Sequence, residues 1–174
     1  MGRYAEETDV PAERSRAEIE RVLQRYGAAR FCSGWQENKG FVAFECRGRN
    51  VRFVLPVPDK NDKRFQRTPT GRARRDNGDA ALRAWEQACR SRWRALLLVI
   101  KAKLEAVECG ITTFEEEFLA HTLIVGNRTV AEILLPQMDT ICRTGRMPKL
   151  LLPGLGRENG DAAIEVEAIA ARER

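Results

Sequence analysis

The chain has a single histidine among its 174 residues, His121. A Ser–His–Asp or Cys–His arrangement has only that imidazole to use, and no GxSxG turn presents a nucleophile. Five cysteines, Cys32, Cys46, Cys89, Cys109 and Cys142, are scattered, odd in number and without a CxxC spacing. They assemble no zinc ligand set, and this usage is that of a reduced protein with thiols as small apolar filler. Neither GxxxxGK[ST] nor GxGxxG occurs, so the sequence offers no glycine-rich cradle for a phosphate. No apolar run approaches the about 18 residues of a membrane-spanning helix. The N-terminus, MGRYAEETDVPAERSRAE, carries acids where a signal peptide needs an apolar core. These absences predict a cytoplasmic chain with no cofactor, no metal and no membrane partner.

What the sequence does have is an uneven charge. The net charge is +5, yet residues 60–103 hold thirteen Lys and Arg against four acids, whereas residues 104–174 hold seven against twelve. A block of that sign predicts a basic face for a polyanion or an acidic partner, although solvated linkers and polar helix faces also produce such blocks.

Hydrophobic periodicity predicts an α+β fold: an N-terminal helix, a three-stranded antiparallel meander, a long amphipathic helix, then shorter C-terminal helices packed on one sheet face. SRAEIERVLQRYGA reads as the first helix, with Ser15 and Glu18 as a capping box and Gly27 as its stop. RFCSGWQ, GFVAFECR and NVRFVLPV read as strands separated by short turns. Alternation puts Phe31, Ser33, Trp35, Val42, Phe44, Cys46, Val51, Phe53 and Leu55 on one face, and Arg30, Phe41, Glu45, Arg47 and Arg52 on the other. Residues 58–79 read as a flexible basic loop, residues 1–14 as a disordered N-terminus and residues 153–174 as a charged tail, leaving one domain over 15–152.

From Asp79 a helix is predicted to about Cys109, closed by Gly110. At 100° per residue, Arg83, Arg90, Arg94 and Lys101 fall within about 20° of one line, with Leu82, Cys89, Trp93, Leu96, Ile100, Leu104 and Val107 on the other side of the helix. That geometry predicts an outward basic stripe. Capping boxes at Thr113/Glu116 and Thr129/Glu132 predict two further helices, the second kinked or divided by Pro136, with VGNRT as a tight turn between them.

Candidate chemistry is sparse. Glu117 and His121 stand four apart on one helix face, a spacing that can hold a metal, but Phe114 and Phe118 share that side and favour a structural histidine. Glu105, Glu108 and Glu117 are the acids available to a metal-dependent nuclease, with surface pairing as their ordinary reading. Trp85 and Trp93 lie on the apolar arc and read as core. Phe41, beside Arg47 and Arg52, reads as a single-strand stacking platform. The loop and stripe residues Arg72, Arg74, Arg75, Arg83, Arg90, Arg94 and Lys101 read as phosphate contacts.

The block AWEQACRSRWRALLLVIKAKLEAVECGITTFEEEFLAH, with GRNVRFVLPVPD and RTPTGR before it, resembles a family of small proteins encoded by tailed bacteriophages and prophages. The resemblance covers about residues 26–135, not the tail, and supplies no catalytic residues. It implies a bacterial cytoplasm and a phage context. The expectation is therefore a non-enzymatic accessory protein that binds nucleic acid. Next come an inhibitor of a bacterial defence complex, anti-CRISPR-like in acting by protein–protein interaction, and then a metal-dependent nuclease.

Overall fold

A computed structural model describes residues 5, 8–36, 39–67 and 78–145 of the chain. The described residues belong to two compact units, Met1–Thr122 and Leu123–Arg174. The charged tail 153–174 lies outside the described residues.

In the first unit, α1 (Ala12–Arg25) precedes β1 (Arg30–Gln36), β2 (Lys39–Cys46) and β3 (Arg49–Pro56). These strands form an antiparallel meander in the order β1-β2-β3, with Ser33 opposite Val42 and Val42 opposite Phe53. The alternation holds: Val42, Phe44 and Cys46 are buried beside Val51, Phe53 and Leu55. Arg47 and Gly48 join β2 to β3 with φ of 50° and 71°, the paired positive angles of a type I′ hairpin turn.

The inner sheet face is covered by Ile19, Val22 and Leu23 of α1 and by α3 (Asp79–Glu108), which contributes Trp93, Leu97, Ile100 and Leu104. Each large apolar side chain fully buried there stabilises the fold by about 1.5–3 kcal/mol. Two phenylalanines of α4 (Phe114–Phe118) close the core. Phe118 meets Phe44 and Phe53 edge-on at 6.0 and 6.1 Å, and Phe114 stacks on it at 4.5 Å. The Thr113/Glu116 capping box forms as expected, and a 3₁₀ turn at Leu119–His121 follows.

Two boundaries differ from expectation. Helix α1 starts at Ala12, so Ser15 is not its cap but a buried residue on its apolar face. The preceding segment is not loose either, because the Thr8 carbonyl accepts from Gln87 Nε2 at 2.9 Å. Within the expected loop 58–79, residues 63–66 form a short helix, α2 (Lys63–Gln66), capped by Asp62. Its Phe65 is buried, one apolar side chain being enough to anchor an otherwise polar segment. Residues 68–77 of that loop lie outside the described residues.

In the second unit, VGNRT is the tip of a hairpin between β4 (Leu123–Ile124) and β5 (Arg128–Thr129). Gly126 and Asn127 take the positive φ values of 80° and 56° that its turn demands. The Thr129/Glu132 capping box starts α5 (Val130–Thr144), and Gly145 closes it in the left-handed region. Pro136 does not divide this helix. A proline there removes the N–H that would bond the Glu132 carbonyl four residues back. Arg128 Nη2 donates to that same carbonyl at 2.9 Å and replaces the missing partner.

Candidate nucleic-acid interface

The predicted basic stripe on α3 does not face outward along its length. Arg94 Nη1 lies 3.0 Å from Glu18 Oε2, and Lys101 Nζ donates to Glu18 Oε1, so one carboxylate of α1 bridges both cations. The Lys101 hydrogen bond, aided by the fields of Lys101 and Arg94, holds the Glu18 carboxyl below the ordinary glutamate value despite opposing burial. Arg90 donates through Nε and Nη2 to Gln87 Oε1 at 2.9 and 2.7 Å, and Gln87 in turn holds the Thr8 carbonyl. The stripe is thus the polar seam along which α1 and the segment before it dock on α3. Arg83 is exposed near the start of α3. Arg72, Arg74 and Arg75 lie outside the described residues.

The sheet residues also separate. Phe41 and Arg52 occupy the outer face, opposite Val54 and Ala43 respectively. Both are half-buried, and the Phe41 ring lies over Gly34, within 2.9 Å of where a Cβ would stand. Arg47 does not join them, because its left-handed turn conformation breaks the alternation. Its guanidinium sits 5.7 Å from the centroid of Phe114, a core residue on the inner side.

Cations do gather where β3, α2 and α3 meet. Trp85 donates from Nε1 to the Pro58 carbonyl at 2.8 Å, and Lys60 Nζ lies 5.8 Å from the centroid of a Trp85 ring. Arg92 Nη1 donates to the Pro56 carbonyl at 3.0 Å. Lys60, Lys63, Arg64 and Arg67 are all exposed there. The acids of residues 58–67 are Asp59 and Asp62, and Asp62 is occupied as helix cap and as partner of Arg64 at 3.0 Å. Among the described residues Lys60 and Lys63 form no ion pair. Trp85 is half-buried, short of the core place expected of it, whereas Trp93 is fully buried.

Next to this corner stands a residue that strand alternation assigned simply to the core. Trp35 is 48% exposed, at the end of β1. It meets Trp93 edge-on at 5.6 Å, and both rings approach Gly40, where a Cβ would lie 3.1 Å from Trp93 and 3.6 Å from Trp35. Arg16 of α1 places its guanidinium 5.4 Å from the Trp93 centroid and donates to Ser33 Oγ at 3.0 Å. The available signal was its position, last but one in the strand and beside the ENKG turn.

The polar groups weighed for catalysis are engaged otherwise. Glu117 Oε2 lies 2.9 Å from Lys103 Nζ, and His121 stacks on Phe53 with centroids 4.0 Å apart. Burial, with the charge of Lys103, pushes the His121 pKa down. Glu105 accepts from Tyr26 Oη at 3.4 Å on the α1 side. Lys103 and Glu105, two positions apart, point to opposite sides of α3, so the helix separates Glu105 from Glu117. Burial raises the pKa of the Cys46 and Cys89 thiols, which suits filler and not nucleophiles. Cys32, Cys109 and Cys142 are exposed, contrary to a filler role for all five.

Among the described residues no helix is long and apolar enough to cross a membrane, and no group of three or more His, Cys, Asp or Glu is placed to hold a metal ion. No family model, no curated protein and no solved structure matches the chain.

Proposed function

We propose that the protein is a non-enzymatic accessory protein of phage or prophage origin that binds nucleic acid in a bacterial host. The binding surface is the corner around α2 and the first turns of α3, with Lys60, Lys63, Arg64, Arg67 and Arg92 as its cations. What supports this reading is that Lys60 and Lys63 stand exposed, without ion pairs among the described residues, Lys60 beside Trp85. Arg94 and Lys101, by contrast, are neutralised by Glu18. Phosphate contacts from such a corner give affinity that falls with salt and carries little sequence information.

The test is a salt titration of duplex and single-stranded nucleic acid with the wild-type protein and with Lys60→Glu/Lys63→Glu. Steep loss of affinity with salt, together with at least ten-fold weaker binding by the folded double variant, is expected. Equal affinity of the two proteins would remove the surface from consideration.

A second reading has its own support in α5, where Leu135 and Met138 are 62% and 49% exposed and share a helix face with Cys142. That apolar stripe favours a protein partner, as for an inhibitor of a bacterial defence complex. Leu135→Asp/Met138→Asp is expected to abolish capture of such a complex while leaving nucleic-acid binding intact.

A further inference from the structure

We infer that Trp35 is a base-stacking platform and that the nucleic acid is engaged as a single strand; this rests on the proposed polyanion reading and names its ligand class. The indole is about half exposed, yet it is not loose. It is braced edge-on against buried Trp93 and lies close to the Gly40 backbone. A large aromatic held in one orientation loses little freedom when a second flat ring settles on it.

Its surroundings supply the other half of a single-strand site. Arg16 is fixed behind the tryptophan pair by Ser33. Lys39, exposed, is paired in register with Pro56, whose carbonyl anchors Arg92. Arg16 of α1 and Arg92 of α3 therefore stand on the side of the sheet that carries the ring, while Lys39, one position from Gly40, marks the same sheet end from the opposite face. Phosphates on either side of a stacked base find charge on α1 and on α3, and any base has a π face to offer. A duplex has its bases paired and stacked internally, so it offers Trp35 nothing beyond backbone charge. The site accordingly discriminates strandedness and not sequence.

The experiment is a fluorescence-anisotropy titration of wild type, Trp35→Ala, Trp35→Phe and Lys60→Glu/Lys63→Glu. The probes are a labelled oligo-dT of about 12 nucleotides, a duplex of the same length, and heparin. The proposal expects wild type to prefer the single strand. Trp35→Ala should lose about ten-fold in single-strand affinity and little in duplex or heparin affinity, while Trp35→Phe keeps most of the binding. If Trp35→Ala melts early, Trp35→Leu carries the test, since it keeps apolar bulk against Trp93 without a π face. Undiminished single-strand binding by the folded Trp35 variant overturns the stacking role. So does equal binding of all three probes by wild type, although a loss on Lys60→Glu/Lys63→Glu would then leave the polyanion reading standing. Binding of none of the probes overturns both.

Discussion

Replacing Glu18 by Gln tests how α1 is tied to α3. The carboxylate serves two cations at once, with side-chain exposures of 27% for Glu18, 29% for Arg94 and 42% for Lys101. Such partly screened pairs are worth more than a fully exposed pair and less than a buried one. Two of them together give about 1–2 kcal/mol. For a chain of this size that is a drop in melting temperature of about 3–6 °C. The assay is urea unfolding at neutral pH, followed by the same substitution in an Arg94→Met/Lys101→Met background, where methionine keeps the apolar stem and removes the charge. There the Glu18→Gln cost should fall close to zero. Because folding depresses the Glu18 pKa, its stabilisation is complete above the ordinary glutamate pKa and is lost as pH falls through the depressed folded-state value. Glu18→Gln should flatten that part of the stability profile. An unchanged urea midpoint, or a cost that persists without the two cations, would refute the reasoning. Reversing Arg94 and Lys101 to Glu, by the same logic, sets three carboxylates against one another and destabilises the fold, so loss of binding in such a variant would say nothing about a surface.

Three further outcomes follow from local geometry. Gly40→Ala should cost about 1–3 kcal/mol, because the new Cβ meets the buried Trp93 ring at 3.1 Å and neither can retreat. Gly34→Ala, with a nominally closer contact of 2.9 Å, should cost less than about 1 kcal/mol, since the half-buried Phe41 ring can swing away. Thermal melts of both variants check that order, and the reverse order would show that contact distance alone decides. Folding lowers the His121 pKa, so stability should decline as pH drops below about 6.5, where the unfolded chain takes up a proton more readily than the folded one. His121→Gln should remove that decline. Arg128→Ala should destabilise the second unit by about 0.5–1 kcal/mol by removing a donor to the Glu132 carbonyl, and should cost almost nothing once Pro136→Ala restores the helical donor.

The features legible in the sequence are those decided by near neighbours. The capping boxes at Thr113 and Thr129 close within four residues, and the three strands announce themselves through alternation bounded by turns. Long α3 was equally plain from its periodicity and from Gly110. Ser15 and Glu18 show the same capping pattern, yet Glu18 bonds Lys101, a partner 83 residues away, and the helix begins elsewhere. A helical wheel orders Arg90, Arg94 and Lys101 on one line without revealing that α1 lies across it. Arg47 leaves its expected face because two positive φ values intervene, and Trp35 is half exposed at the end of β1 although its ring meets Trp93 of α3. Each miss involves a contact distant in sequence or a local break in period.

The tie between Glu18 and its cations also sets a schedule for synthesis. The first partner is encoded 76 residues downstream and the second 83, so α1 is made long before the helix that covers its apolar face. At translation rates of about 5–20 residues per second, the nascent chain carries Ile19, Val22 and Leu23 uncovered by α3 for at least about 4–15 seconds. During that interval the meander is the only substantial surface on which α1 can rest. A ribosome paused before codon 94 would hold the chain in that half-dressed state, open to chaperones and to other nascent copies.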